Sequence, residues 1–281
     1  MLPELKPEHF SKLLAITYLI FFSLLMLYPI YWAFSGAFKS DIEIFNPAQI
    51  FPTKITLASF LPPFFQYIYY RWIGNSFFVA GIATLITVMI SVPAGHALAR
   101  ARGRFYRILS TVLILAYLFP AYFLIVGFVK LLSTWGLINT HLGLILVYVS
   151  FNTPYVTYLV YSYMFAVPAE LEEALLIDGY SKWRVLTKII FPLSFPIIIT
   201  GALWTFMWCW NEIIYALVVL SSPDLLTAPV GLATLQPGES ITPWSTFWAF
   251  SLIYSIPPLI VFYSLQKYYI SGLMRGAVKT A

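Results

Sequence analysis

Six long apolar runs, near residues 13–38, 73–99, 108–131, 142–165, 193–219 and 246–268, alternate with shorter polar stretches along the chain. A helix that crosses a bilayer needs about 20 apolar residues, so each run is long enough to span. The pattern predicts an all-α, polytopic membrane protein with six transmembrane helices. Residues 1–12 and 269–281 are then short flanking segments, and 13–268 form the membrane domain. The first run is too long for a signal peptide, and no small-residue cleavage site follows it, so it is expected to remain as an anchor.

One polar stretch has its own period. Residues 168–192 read PAELEEALLIDGYSKWRVLTKIIFP between the fourth and fifth runs. Pro168 suits a first helical position, and Glu170, Glu172 and Glu173 place negative charge at the positive end of a helix dipole. Leu171, Ala174 and Leu175 share one face at helical spacing. Gly179 supplies the left-handed residue that ends a helix, with Tyr180 folding back over Leu175, and Ser181 caps a second short helix carrying Lys182, Arg184 and Lys188. The basic second half suits an anionic lipid surface, but three glutamates do not. An acidic helix with a small apolar face suits a groove on a soluble protein better.

Composition narrows the class. Sixty per cent of the residues are hydrophobic and 10% are charged, as in a protein embedded in lipid. With the amino terminus inside, twelve lysines and arginines fall in inner segments and four (Lys39, Lys54, Arg71, Lys130) in outer ones. This obeys the positive-inside rule and puts both termini and the 168–192 loop in the cytoplasm. The net charge of +5 is thus a topology signal, and no nucleic acid need be invoked. Cys209 is the lone cysteine, and His9, His96 and His141 are scattered, so neither a disulfide nor a metal site is expected. No phosphate-binding G-x-x-x-x-G-K-[ST] sequence occurs, so a pump built on this chain needs its energy from another polypeptide.

Glu173-Ala174, Gly179 six positions after the glutamate, then Ile189 and Pro192, resemble the "EAA" motif of the membrane subunits of ATP-binding-cassette importers. Leu175 and Phe191 depart from that motif, and both keep the position apolar. The Ile-Asp-Gly wording and the Gly272-Leu-x-x-Gly276-Ala-Val-Lys279 ending are similar to the carbohydrate-uptake, maltose/trehalose-type branch. The resemblance covers about residues 75–279. It implies a type I importer permease fold in the plasma membrane, and a cytoplasmic coupling helix seated in an ATPase cleft. Glu172, Glu173, Ala174, Asp178 and Gly179 would serve that contact, and Gly272, Gly276 and Lys279 would reach the ATPase interface. Implied partners are a second permease subunit, expected to be a different chain, two ATPase subunits and an extracytoplasmic sugar-binding protein. ATP and magnesium would sit in the ATPase, with no cofactor on this chain and no enzymatic role for it.

Under that resemblance the function implied is import of a di- or oligosaccharide, this chain forming half of the pathway. Tyr148, Asn152 and Tyr155 fall on one face of the fourth run, which is interrupted at Pro154. Trp204, Trp208, Asn211 and Glu212 recur in the fifth. Aromatic rings can pack on the C–H faces of a sugar while amides and carboxylates meet its hydroxyls. A packed proline kink and an interfacial aromatic belt are the competing readings. The long outer loop at 221–245 resembles the one that enters the sugar-binding protein, with Gln236, Pro237, Gly238 and Glu239 at its tip; a plain vestibule lip remains open. Asn75 is read as a helix cap and His96 as an interhelical hydrogen-bond partner. An ion-driven secondary transporter is the alternative, but it needs paired midplane ionisable groups that Lys130, His96 and Glu212 do not supply. A membrane enzyme would need a nucleophile–base pair or metal cluster, and none is seen.

Overall fold

The computed structural model describes residues 7–165, 167–235 and 242–277, with side chains described between 12 and 268. Among the described residues every regular element is helical. Four of these described helices are long and apolar enough to cross a membrane, or up to six spans result if each of two bent pairs counts as one. The unbroken ones are α1 (Pro7–Phe38), α2 (Tyr67–Arg100), α5 (His141–Phe165) and α11 (Trp244–Ala277). Between them lie α3 (Arg104–Leu118), α4 (Ile125–Thr134), α6 (Glu170–Ile177), α7 (Lys182–Val185), α8 (Phe195–Asn211), α9 (Ile214–Val219) and α10 (Ala228–Thr234).

Two expected spans are broken. The run at 108–131 turns through 89° between Arg104–Leu118 and Ala121–Thr134. Pro120 at the bend has no N–H to continue a helix, and it holds Phe119 in an extended conformation. The run at 193–219 ends its main helix at Asn211, then restarts as α9 after extended Glu212. At its start, Lys182–Leu193 and Phe195–Asn211 meet at 74°. Between α7 and Phe191 the backbone is a π-helical turn over Leu186–Ile190, an extra residue inserted into the inner end of the span.

The chain divides into two compact units, Met1–Gln66 with Leu235–Ser255, and Tyr67–Thr234 with Ile256–Ala281. In the first, Lys39 is 1% exposed, and its ammonium donates to the carbonyls of Gln49 at 2.6 Å and Ile50 at 2.9 Å. Asp41 accepts from the backbone N–H groups of Trp244 and Ser245 at 3.1 and 3.0 Å, capping the start of α11 from a distant part of the sequence. The segment after α1 is therefore ordered by its own hydrogen bonds.

The second unit carries most of the packing. Gly95 lets α2 and α5 touch by backbone: a Cβ there would lie 2.7 Å from the Thr157 carbonyl oxygen and 2.7 Å from Val160 Cβ. Gly201 lets α8 close onto the Val156 side chain of α5, where a Cβ would lie 2.8 Å from Cγ1. Val92, Val156, Val160, Met164, Ile190 and Ile197 close a core where these three helices meet the 168–192 loop. Leu175 and Leu186 of the 168–192 loop pack against it, so that loop is fastened to the membrane domain.

Candidate functional site

The 168–192 loop folds as its residues dictate. Three glutamates occupy the first turn of α6. Gly179 takes φ +85°, and the helix closes with Tyr180 N–H donating to Leu175 O at 3.0 Å and Gly179 N–H to Leu176 O at 3.1 Å. That pair of bonds is the Schellman ending, which only a left-handed residue permits. Ser181 Oγ then accepts from Arg184 N–H at 3.3 Å and starts α7, while the Arg184 guanidinium lies 5.4 Å from the Tyr180 ring. Leu175 is turned to the core, whereas Leu171, Ala174, Ile177 and Trp183 face out. Ile177 is 85% exposed and Trp183 72% exposed. Glu173, Asp178 and Gly179 lie on that open side.

Glu172 points the other way. Its Oε1 accepts from Arg100 Nε at 2.8 Å and pairs with Nη2 at 2.7 Å, and its Oε2 lies 2.9 Å from His96 Nε2. Arg100 Nη1 also donates to the Met164 carbonyl at 3.0 Å, near the end of α5. Burial raises the carboxyl's affinity for a proton, but the bonds from Arg100 and His96 outweigh it and hold the pKa below the ordinary glutamate value. Glu172, expected at an ATPase surface, is thus bound within this chain to the inner end of α2. The sequence signal was available: His96 and Arg100 are four apart on one helical face, matched to the two oxygens of one carboxylate.

The fourth- and fifth-run candidates come together between α5 and α8. Tyr148 and Asn152 are buried; Tyr148 OH donates to Glu212 Oε2 at 2.9 Å, and Asn152 Nδ2 to the Tyr148 carbonyl at 2.9 Å. Glu212 also accepts from Tyr215 N–H at 2.8 Å and Ala216 N–H at 3.1 Å, satisfying the backbone where the helix restarts. These three polar groups therefore have partners inside the protein. Tyr155 and Trp204 are half-buried with ring centroids 5.1 Å apart, and Tyr117 of α3 stacks on Tyr155 at 4.6 Å. Trp208 packs edge-on against Tyr148 at 5.4 Å. Asn211 is exposed at the end of α8 and donates to Met207 O at 2.8 Å. Tyr117 was not singled out in the sequence, because an aromatic on an apolar helix gives no signal of its own.

At the opposite end of α2, residues 223–228 are strapped to the helix. Trp72 Nε1 donates to Pro223 O at 2.8 Å, Asn75 Nδ2 to Asp224 O at 2.8 Å and Leu226 O at 2.9 Å, and Ser76 Oγ accepts from Ala228 N–H at 2.8 Å. A Cβ on Gly231 would lie 2.2 Å from the Trp72 ring. Asn75 lies well inside α2, which begins at Tyr67, so it holds the loop and is no helix cap. Asn139 in the turn before α5 accepts from the N–H groups of Ser221 and Ser222, both at 2.9 Å. The loop-tip residues Gln236, Pro237, Gly238 and Glu239, and the tail residues Gly272, Gly276 and Lys279, fall where side chains are not described. Among the described residues no cluster of three or more histidine, cysteine or acidic side chains could hold a metal ion.

Comparison with known proteins gives the arrangement a family. Residues 88–275 match the model described as binding-protein-dependent transport system inner membrane component. The chain is 32% identical over 280 residues to the trehalose/maltose transport system permease protein MalG of Thermococcus litoralis, covering 98% of this chain and 99% of that one. It is 32% identical over 254 residues to the sulfoquinovosyl glycerol transport system permease protein SmoH of Agrobacterium fabrum, covering 90% and 89%. In structure it is similar to a chain of a bacterial ABC transporter involved in the import of the acidic polysaccharide alginate. There the TM-score is 0.83 at 21% identity, covering 95% of this chain and 99% of that one.

Proposed function

We propose sugar import as the task of this chain, which belongs to the family of inner membrane components of binding-protein-dependent transport systems. It is a multi-pass membrane permease, and ATP hydrolysis belongs to a separate subunit. The substrate class is a di- or oligosaccharide, in line with the sugar-transport names of its relatives. Both termini and α6 lie on the cytoplasmic side, in keeping with the distribution of lysine and arginine.

The observation that carries this reading is the outer face of α6–α7. Ile177 and Trp183 are exposed apolar side chains in a loop bounded by charged residues, beside exposed Glu173 and the fixed turn at Gly179. Such a face buries itself in a groove of a soluble partner, here one ATPase subunit. A second permease chain and a second ATPase subunit complete the pump, and a sugar-binding protein delivers substrate from outside. ATP-driven closure of the ATPases moves α6, and the spans attached to it tilt. Tyr117, Tyr155 and Trp204 form the aromatic wall that meets the sugar, because their rings are only half-buried.

The test is purification in mild detergent with the co-migrating polypeptides, followed by ATPase assays. Binding protein loaded in turn with trehalose, maltose or an alginate oligosaccharide should raise turnover for one sugar class. Purification without an ATPase, together with uptake driven by an ion gradient, would replace this reading with a secondary transporter.

A further inference from the structure

Within the second unit both polar fastenings sit on one helix. At the inner end, Arg100 and His96 of α2 grip both oxygens of Glu172, 72 and 76 residues away in sequence. At the outer end, Trp72, Asn75 and Ser76 of the same helix grip the main chain of residues 223–228. From Trp72 to Arg100 is about 40 Å of α-helix at 1.5 Å per residue. Between the two, Gly95 holds the backbones of α2 and α5 in contact, which opposes sliding of one helix past the other.

We propose that α2 is a transmission strut, and that Glu172 is the positioning residue that clamps it to the ATPase-facing helix. The inference rests on the docking of α6 to an ATPase. Covalently, α6 joins only α5 and α7. Its motion would reach the outer loop poorly through the bent helix pair that follows, where Lys182–Leu193 and Phe195–Asn211 meet at 74°. Glu172 supplies a direct route. A charge-assisted, two-oxygen grip holds an angle as well as a distance. The guanidinium of Arg100 also takes the Met164 carbonyl of α5, so three helices meet at one side chain. Pulling α6 toward the cytoplasm therefore loads α2 at its last residue. At the far end the load arrives at side chains that hold the main chain of the outer loop, carrying α10 with it. Coupling of this kind is reciprocal, so a partner that displaces the outer loop would bias α6 by the same free energy.

The test reads the outer loop while ATP acts at the inner side. Ala233, exposed near the end of α10, is replaced by Ala233→Cys in a Cys209→Ser background of the assembled complex. Its labelling rate by a maleimide fluorophore is measured with and without ATP and vanadate. ATP should change the rate about fivefold or more, the lower end of typical coupling between sites. Adding Glu172→Gln should remove that change while the ATPase subunits still co-purify. Should Glu172→Gln fail to assemble, Asn75→Ala with Ser76→Ala loosens the other end and should also lose the response, with hydrolysis retained. An unchanged ATP response in either variant, or no response in the parent, overturns the strut. A parent that carries no ATPase at all refutes the importer reading instead.

Discussion

The two ends of α2 are held by different chemistry. The inner grip is ionic and specific to side chains: a carboxylate, a guanidinium and an imidazole in one cluster. The grip at the other end joins three neutral side chains, and the Arg71 guanidinium at 3.4 Å, to main-chain groups of residues 223–228. A main-chain partner is present whatever residue occupies the loop, so the outer loop can change sequence and stay in place. The inner contact fails if either partner changes. The Arg100 end of α2 is specified by side chains, and the Trp72 end by main-chain partners.

The largest losses should come from forcing α2 away from its neighbours near each end. Gly231→Val drives a side chain into the Trp72 ring, and Gly95→Val drives one into the Thr157 carbonyl and the Tyr161 backbone. Both should cost about 3 kcal/mol or more, at the upper end of overpacking, and fluorescence-detected size exclusion should show little folded protein. Removing polar groups is milder. Asn75→Ala leaves two carbonyls without this donor, and Glu172→Gln leaves Arg100 without its counter-charge. Each should lower stability by about 1–3 kcal/mol in detergent melts. Only the loss in Glu172→Gln should shrink in high salt, and equal salt dependence would erase the contrast.

Smaller still is the effect of the turns. The inner side uses Gly179 at φ +85°, and the outer side Asn139 at φ +58°. Gly179→Val should cost about 1–2 kcal/mol and lower transport per ATP hydrolysed, because α6 loses its ending; unchanged transport would contradict the proposed movement of α6. Asn139→Gly should be nearly neutral for the backbone and harmful only through its lost bonds to Ser221 and Ser222.

The smallest effect is on pH dependence. The Glu172 pKa is lowered, so its stabilisation is complete above the ordinary glutamate pKa and is lost as pH falls through the lowered value. The melting difference between the parent and Glu172→Gln should hold from neutral pH into the ordinary glutamate range and fade only below it.

Much of this was legible in the sequence, for local reasons. The left-handed end at Gly179 and the cap at Ser181 depend on neighbours within five residues, and composition alone exposes the apolar helices. Asn75 was misread because its partners lie 149 and 151 residues away, and nothing near it announces them. Glu172 was read with its two acidic neighbours as one surface, although a helix turns adjacent residues about 100° apart and only one faced α2. The broken fifth span was missed because Glu212 marks it by capping three residues ahead, where apolar Ile213 and Ile214 look like a continuous helix.

The apolar window of α1 has none of its residues buried within the chain, and Leu19, Leu24 and Met26 are each more than 60% exposed. A stretch of helix that buries none of its side chains within its own chain is constrained by oiliness and length, and shape enters only where a neighbouring molecule touches it. Along most of its circumference this stretch can therefore drift among Leu, Ile, Phe and Met across generations with little penalty. Any strip of it that refuses to drift would trace the footprint of the neighbour.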